Sequence, residues 1–62
     1  MHPLTRRRRG KGLSMHGLAQ LSGVAKTTIV KIENRQYTRD AWPVTLARLA
    51  EALGCEPSDL ME

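Results

Sequence analysis

Apolar residues recur at helical spacing in the second half of the chain. Four of them follow the i, i+3, i+4, i+7 pattern of an amphipathic helix: Leu46, Leu49, Ala50 and Leu53. Proline is tolerated in the first helical turn and glycine often follows the last, so Pro43 and Gly54 predict a helix over about 42–53. A short final turn is expected at 56–60, with Leu60 folding back onto the core.

Residues 14–34 predict two short helices joined by a tight turn. Ser14 is a good N-cap for the first of them, because its hydroxyl can accept from an early backbone N–H. Leu18 and Ala19 are expected to face inward, and the small Ala19 allows the two helices to cross closely. Gly23 supplies the left-handed backbone that ends a helix most cheaply.

The second helix of this unit is predicted to begin near residue 26 and to end near Asn34. Its buried stripe is Ile29 and Ile32, three residues apart. Placing these two inward turns four other side chains outward by the 3.6-residue period: Lys26, Thr27, Val30 and Lys31.

A further helix is predicted before this unit, from Pro3 to about Arg9, where Gly10 and Gly12 stop it. Leu4 is its strong apolar residue, and Arg7 falls one turn later, where a core side chain is expected. The arginine run also matches a localisation signal or a disordered nucleic-acid arm. With no strand pattern and no repeat, the chain is expected to be a single all-α domain, 1–62, built as a compact bundle of four to five helices.

Charge is distributed unevenly along the 62 residues, whose net charge is +4. Residues 1–39 hold nine basic side chains and one acidic one, whereas residues 40–62 hold one basic and five acidic. Basic charge is therefore concentrated around the two-helix unit, as a polyanion-binding face requires.

Few residues offer catalytic or metal chemistry. Cys55 is the one cysteine, so no internal disulfide forms, and it is expected to be a small buried residue rather than a nucleophile. His2 is expected to be a flexible terminal residue and His16 an exposed one, without acid or thiol partners. We therefore expect no enzymatic activity, no cofactor and no metal. No apolar run is long enough to span a bilayer, and a cytoplasmic location is expected.

The segment from Leu13 to Leu60 resembles the phage Cro/C1-type helix-turn-helix family, also called the XRE family. The matching pieces are Gly-Leu-Ser at 12–14, Leu-Ala at 18–19, Gly-Val at 23–24, Thr-Thr-Ile-Val-Lys-Ile-Glu-Asn at 27–34, Thr-Leu-Ala-Arg-Leu-Ala-Glu-Ala-Leu-Gly at 45–54 and Asp-Leu at 59–60. The resemblance implies a lambda-repressor-like domain that binds operator DNA, usually as a two-fold dimer, and regulates transcription as a repressor or an activator. Of the two, a repressor is expected.

Matched by position, the base-reading sites of the family fall on Lys26, Thr27 and Lys31, with Val30 beside them. An outward valine suits contact with thymine methyl groups, although isolated apolar residues are also common on protein surfaces. Thr28 and Asn34 match positions that commonly touch phosphate. Further phosphate contacts are expected from six basic side chains outside the helix: Arg6, Arg8, Arg9, Lys11, Arg35 and Arg39.

Three residues depart from the family pattern. Met15 stands where a phosphate-binding glutamine is frequent, and Ala25 replaces the usual serine or threonine cap of the recognition helix. Arg7 replaces a typical core leucine. Glu33, in contrast, matches a family acid that is usually structural.

A homodimer is expected, at least on DNA, because one module of this size offers a small interface. The predicted dimer surface is the helix at 42–53 and the C-terminal turn, with Leu53, Leu60 and Met61, because these carry apolar residues away from the basic face. Two other functions are compatible with the sequence. The domain could be a protein-interaction module, such as the DNA-binding half of an antitoxin, or it could bind RNA or an anionic membrane non-specifically. Trp42 and Tyr37 are too few aromatics for a single-strand stacking platform, and the apolar stripe is too thin for membrane insertion.

Overall fold

The computed structural model describes residues 1–36 and 42–62, and every regular element in these two ranges is helical. Four α-helices are followed by one short 3₁₀ helix, Pro57–Leu60; the α-helices are α1, Pro3–Gly10; α2, Met15–Ser22; α3, Lys26–Glu33; and α4, Trp42–Leu53. The prediction of an all-α bundle of four to five helices is confirmed. The sequence between α3 and α4, from Arg35 to Ala41, is polar and predicts a loop, most of which, 37–41, lies outside the described residues.

The ends of α1 and α2 follow from individual residues. Ser14 caps α2 as predicted, because its Oγ accepts from the Gly17 N–H at 2.9 Å. Gly23 ends the helix with φ 75°, a left-handed conformation that glycine adopts without steric cost. The expectation of a flexible His2 is wrong: His2 is only 5% exposed, and its Nδ1 accepts from the Leu4 N–H at 3.0 Å. The imidazole is thus the N-cap of α1.

The apolar core agrees closely with the periodicity of the sequence. Its buried members come from all four helices, the α2–α3 turn and the 3₁₀ helix: Leu4, Leu18, Val24, Ile29, Ile32, Leu46, Leu49, Ala50, Leu53 and Leu60. The predicted stripes of α3 and α4 and the inward folding of Leu60 are confirmed. Cys55 packs half-buried against this core.

The predicted dimer surface is wrong at two of the three residues named for it. Leu53 is 2% exposed and Leu60 is 1% exposed, because both side chains fill the core where α4 and the 3₁₀ helix pack together. Met61 alone of the three is exposed.

The arginine of α1 that is buried in the protein is Arg8, one residue later than the sequence predicted. Arg8 follows the fully buried Leu4 by four residues and so lies on the same face of the helix. The expectation that Arg7 takes the core position is wrong: Arg7 is about half exposed, and its Nη2 lies 3.7 Å from Oδ2 of Asp59.

The Arg8 guanidinium is held by groups from two other parts of the chain. Its Nε donates to Oε2 of Glu33 at 2.9 Å and its Nη2 to Oε1 at 3.1 Å, while Nη1 donates to the Leu13 carbonyl at 2.9 Å. The Thr5 hydroxyl donates to Glu33 Oε1 at 2.7 Å. This polar cluster joins α1 to the last residue of α3 and to the α1–α2 connection.

Breaking this buried pair from either side is expected to destabilise the fold. Arg8→Met leaves the Glu33 carboxylate buried without its cation, and Glu33→Leu leaves the guanidinium uncompensated. Each single change should cost about 3 kcal/mol or more of unfolding free energy, because an unpaired buried charge is expensive. The double variant should recover much of that loss. Urea unfolding measures all three, and Arg9→Met, at an exposed position of the same arginine run, is the matched control. Single variants as stable as the control would contradict this account.

The His2 cap makes stability depend on pH. Burial lowers the pKa of His2 below its usual value of 6.5, because the interior disfavours the charged ring. The unfolded chain therefore binds this proton more tightly than the folded chain. The stability that neutral His2 contributes to the fold is present above pH 6.5, and it is lost as the pH falls through the pKa of His2 in the folded protein. A protonated Nδ1 also cannot accept from Leu4.

We expect His2→Asn, which keeps a capping side chain without a titrating group, to lose less stability than the wild type between about pH 7 and about pH 5. Urea midpoints across this range provide the measurement. His16→Asn makes the same substitution at an exposed histidine and is the matched control. Identical profiles for all three proteins would show that His2 has no such role.

Candidate nucleic-acid interface

The turn between α2 and α3 is fixed by packing and by one hydroxyl. The turn comprises residues 23–25, and the Val24 side chain is 8% exposed within the core. The Ser22 Oγ donates to the Leu18 carbonyl at 2.7 Å and accepts from the Val24 N–H at 3.2 Å. The angle between the two helices is therefore set by groups within the unit itself.

The rotation of α3 about its axis follows from the residues that it buries. Ile29 is fully buried, Ile32 is 2% exposed and Glu33 is 8% exposed. With these three facing the interior, the predicted base-reading residues Thr27 and Lys31 are exposed on the opposite side, and Lys26 is exposed at the first position of the helix. The fourth, Val30, is half-buried at the border of that face, and so is Thr28.

The first turn of α3 has no side-chain cap. Ala25 occupies the N-cap position and lacks an oxygen that could accept from the first N–H groups of the helix. The positive end of the helix dipole and these N–H groups thus lie beside exposed Lys26, which favours an anion at this point. Met15, the other departure from the family pattern near here, packs half-buried against the core.

Polar residues also follow the end of α3, at Asn34 and Arg35. Asn34 is exposed at the C-cap, and Arg35 follows with φ 59°, a left-handed conformation that is uncommon outside glycine. Arg35 Nε donates to both carboxylate oxygens of Glu62, at 2.7 Å to Oε1 and at 2.9 Å to Oε2. Arg35 Nη2 donates to Oε2 at 2.7 Å. Hydrogen bonds from Arg35 hold the pKa of the Glu62 carboxyl below its usual value.

Basic side chains of α1 and of the connection after it have unequal access to a ligand. Arg6, Arg9 and Lys11 are exposed, and Arg6 and Lys11 line an open groove of about 460 Å³ that Leu53 and Asp59 also border. Arg8, the third arginine of α1 in the predicted phosphate set, is buried, and its guanidinium is bound to Glu33 and the Leu13 carbonyl.

The buried Arg8 does not suit the phosphate role expected from the sequence, because its guanidinium already meets Glu33 and the Leu13 carbonyl. The sequence contained one signal for this position, its spacing of four residues from Leu4. Glu33 acts as a structural acid, in line with the family pattern: burial raises the pKa of its carboxyl, but hydrogen bonds from Arg8 and Thr5 outweigh burial and hold it below the usual value. Arg39 lies outside the described residues.

The described residues contain little that points to other chemistry. No group of three metal-ligating side chains occurs among residues 1–36 and 42–62. Burial raises the pKa of the Cys55 thiol, which disfavours the reactive thiolate. Across the same two ranges, none of the helices combines the length and apolar character of a membrane span.

In a comparison with protein families, the family model described as Helix-turn-helix aligns with residues 4–60, nearly the whole chain. Comparisons with curated proteins and with solved structures gave no match. The matched range begins in α1 and ends with the 3₁₀ helix, so it includes the fixed turn and the exposed basic face of α3. The chain therefore belongs to the Cro/C1-type helix-turn-helix family, the XRE family, and is a DNA-binding helix-turn-helix domain.

Proposed function

We propose that the protein is a sequence-specific transcriptional regulator, a repressor, that inserts α3 into the major groove of operator DNA. The observation that carries this proposal is the solvent face of α3. Thr27 and Lys31 are exposed there because Ile29, Ile32 and Glu33 hold the opposite side in the core. Lys26 is exposed beside them at the start of the helix. A helix held rigidly in this way presents its outward side chains in one orientation, which reading base edges requires.

The proposed base contacts follow from the chemistry of the exposed face. Lys26 and Lys31 donate to guanine O6 and N7, the acceptors that distinguish guanine in the major groove. Thr27 offers a hydroxyl and a methyl group, and Val30, at the border of the face, supplies apolar contact for a thymine methyl.

Phosphate contacts position α3 without reading sequence. We assign them to Thr28, Asn34 and Arg35 on α3 and just after it, and to Arg39. From the region of α1 we add the three exposed cations, Arg6, Arg9 and Lys11. Arg8 is left out of this set because its guanidinium is engaged in the interior.

Operator binding by this domain requires two copies. A single module buries too little surface for typical specific affinity, so we propose a homodimer, formed at least on DNA, with half-sites about 34 Å apart. Its contact surface excludes Leu53 and Leu60, which are inside the core. DNA as the partner also implies a cytoplasmic location, in contact with the nucleoid.

Replacing Lys31 tests the proposed base reading. Lys31→Ala should lose discrimination at particular base pairs by about 1–3 kcal/mol each, because a side chain that donates to guanine is removed. Lys11→Ala removes the same charge from a proposed phosphate contact and should weaken binding to all sequences alike. Titration of both variants against a panel of point-substituted duplexes measures the difference. Uniform weakening by Lys31→Ala would make Lys31 a phosphate contact and contradict the assignment.

A further inference from the structure

Arg35, one of the residues proposed to bind phosphate, is already bound to a carboxylate of the protein itself. Arg35 and Glu62 form a bidentate ion pair with three N–O distances between 2.7 and 2.9 Å. The two residues are 27 positions apart in the sequence, and their side chains are 51% and 47% exposed. The pair is thus short and well aligned, yet it lies at the surface, where solvent and ligands can reach both partners.

The pair lies at the end of the recognition helix. The Arg35 N–H donates to the Ile32 carbonyl at 3.0 Å, which holds Arg35 against the last turn of α3. The guanidinium fork matches a carboxylate and a phosphate equally well, because both present two oxygens in one plane. In the free protein the edge of the fork formed by Nε and Nη2 is used by Glu62.

From this geometry we infer that the Glu62 carboxylate takes the place of a DNA phosphate on Arg35 and so weakens DNA binding. The inference rests on the proposed function. Arg35 must leave Glu62 before the same edge of its guanidinium meets phosphate, and the released carboxylate adds negative charge beside the DNA backbone. Glu62 therefore acts as an autoinhibitory residue that limits the contribution of Arg35 to affinity.

The solvent exposure of the Arg35–Glu62 pair limits how strongly Glu62 weakens DNA binding. A surface ion pair is weak enough to exchange its partner on binding, so Glu62 lowers the affinity without abolishing it. Glu62 Oε1 also lies 3.9 Å from Nε2 of His2, which gives the displaced carboxylate a second neighbour within the protein.

Glu62→Gln tests the inference, since it removes the charge and keeps the size of the side chain. We expect about two- to five-fold tighter binding to a short mixed-sequence duplex in low salt, because phosphate contacts are independent of sequence. Glu51→Gln, at an exposed glutamate of α4, makes the same change in net charge and is the matched control. The gain for Glu62→Gln should exceed the gain for Glu51→Gln.

A double-mutant cycle then assigns the effect to Arg35. In an Arg35→Gln background, Glu62→Gln should give no more than the gain of Glu51→Gln, because the residue that Glu62 occupies is absent. Urea unfolding confirms that each variant is folded. Equal gains for the two glutamate variants, weaker binding by Glu62→Gln, or an undiminished gain without Arg35 would each overturn the inference. A wild-type chain that binds no duplex would instead overturn the proposed function and this inference with it.

Discussion

The orientation of α3 depends on the buried ion pair between Arg8 and Glu33. Taking both charges out of water is costly, and the pair is tolerable only because Thr5 and the Leu13 carbonyl complete the hydrogen bonds. The consequence for function is orientation. Glu33, the last residue of α3, is tied to α1 through Arg8, and Ile29 is held in the core. The helix α3 therefore cannot rotate about its axis without exposing apolar surface or separating the two charges.

Much of the helical framework could be predicted because it rests on local rules. Period-3.6 apolar spacing predicted the buried residues of α4, and Ser14 and Gly23 marked the ends of α2. The register of α1 could not be predicted in the same way. Four consecutive arginines carry no apolar contrast, so the choice between Arg7 and Arg8 depends on Glu33, which lies 25 residues beyond Arg8 in the chain.

The surface was predicted less well than the core, again for a physical reason. Arg8 was assigned to phosphate and Leu53 and Leu60 to a dimer contact from residue type alone, yet tertiary packing buries all three. For the residues of α3, helical position predicted exposure better than residue type, because Ile29 and Ile32 determine which side of the helix faces solvent. The pairing of Arg35 with Glu62 has no local sequence signal, since it joins the end of α3 to residues after the 3₁₀ helix.

The proposed function depends on one property, that the exposed face of α3 reads a DNA sequence. Selection of bound molecules from a random duplex pool tests it most directly, because the operator need not be known beforehand. We expect enrichment of a palindrome whose half-sites lie about one helical turn apart, at roughly 34 Å, with guanine at positions facing Lys26 or Lys31. A pool that is bound but shows no sequence enrichment would contradict it.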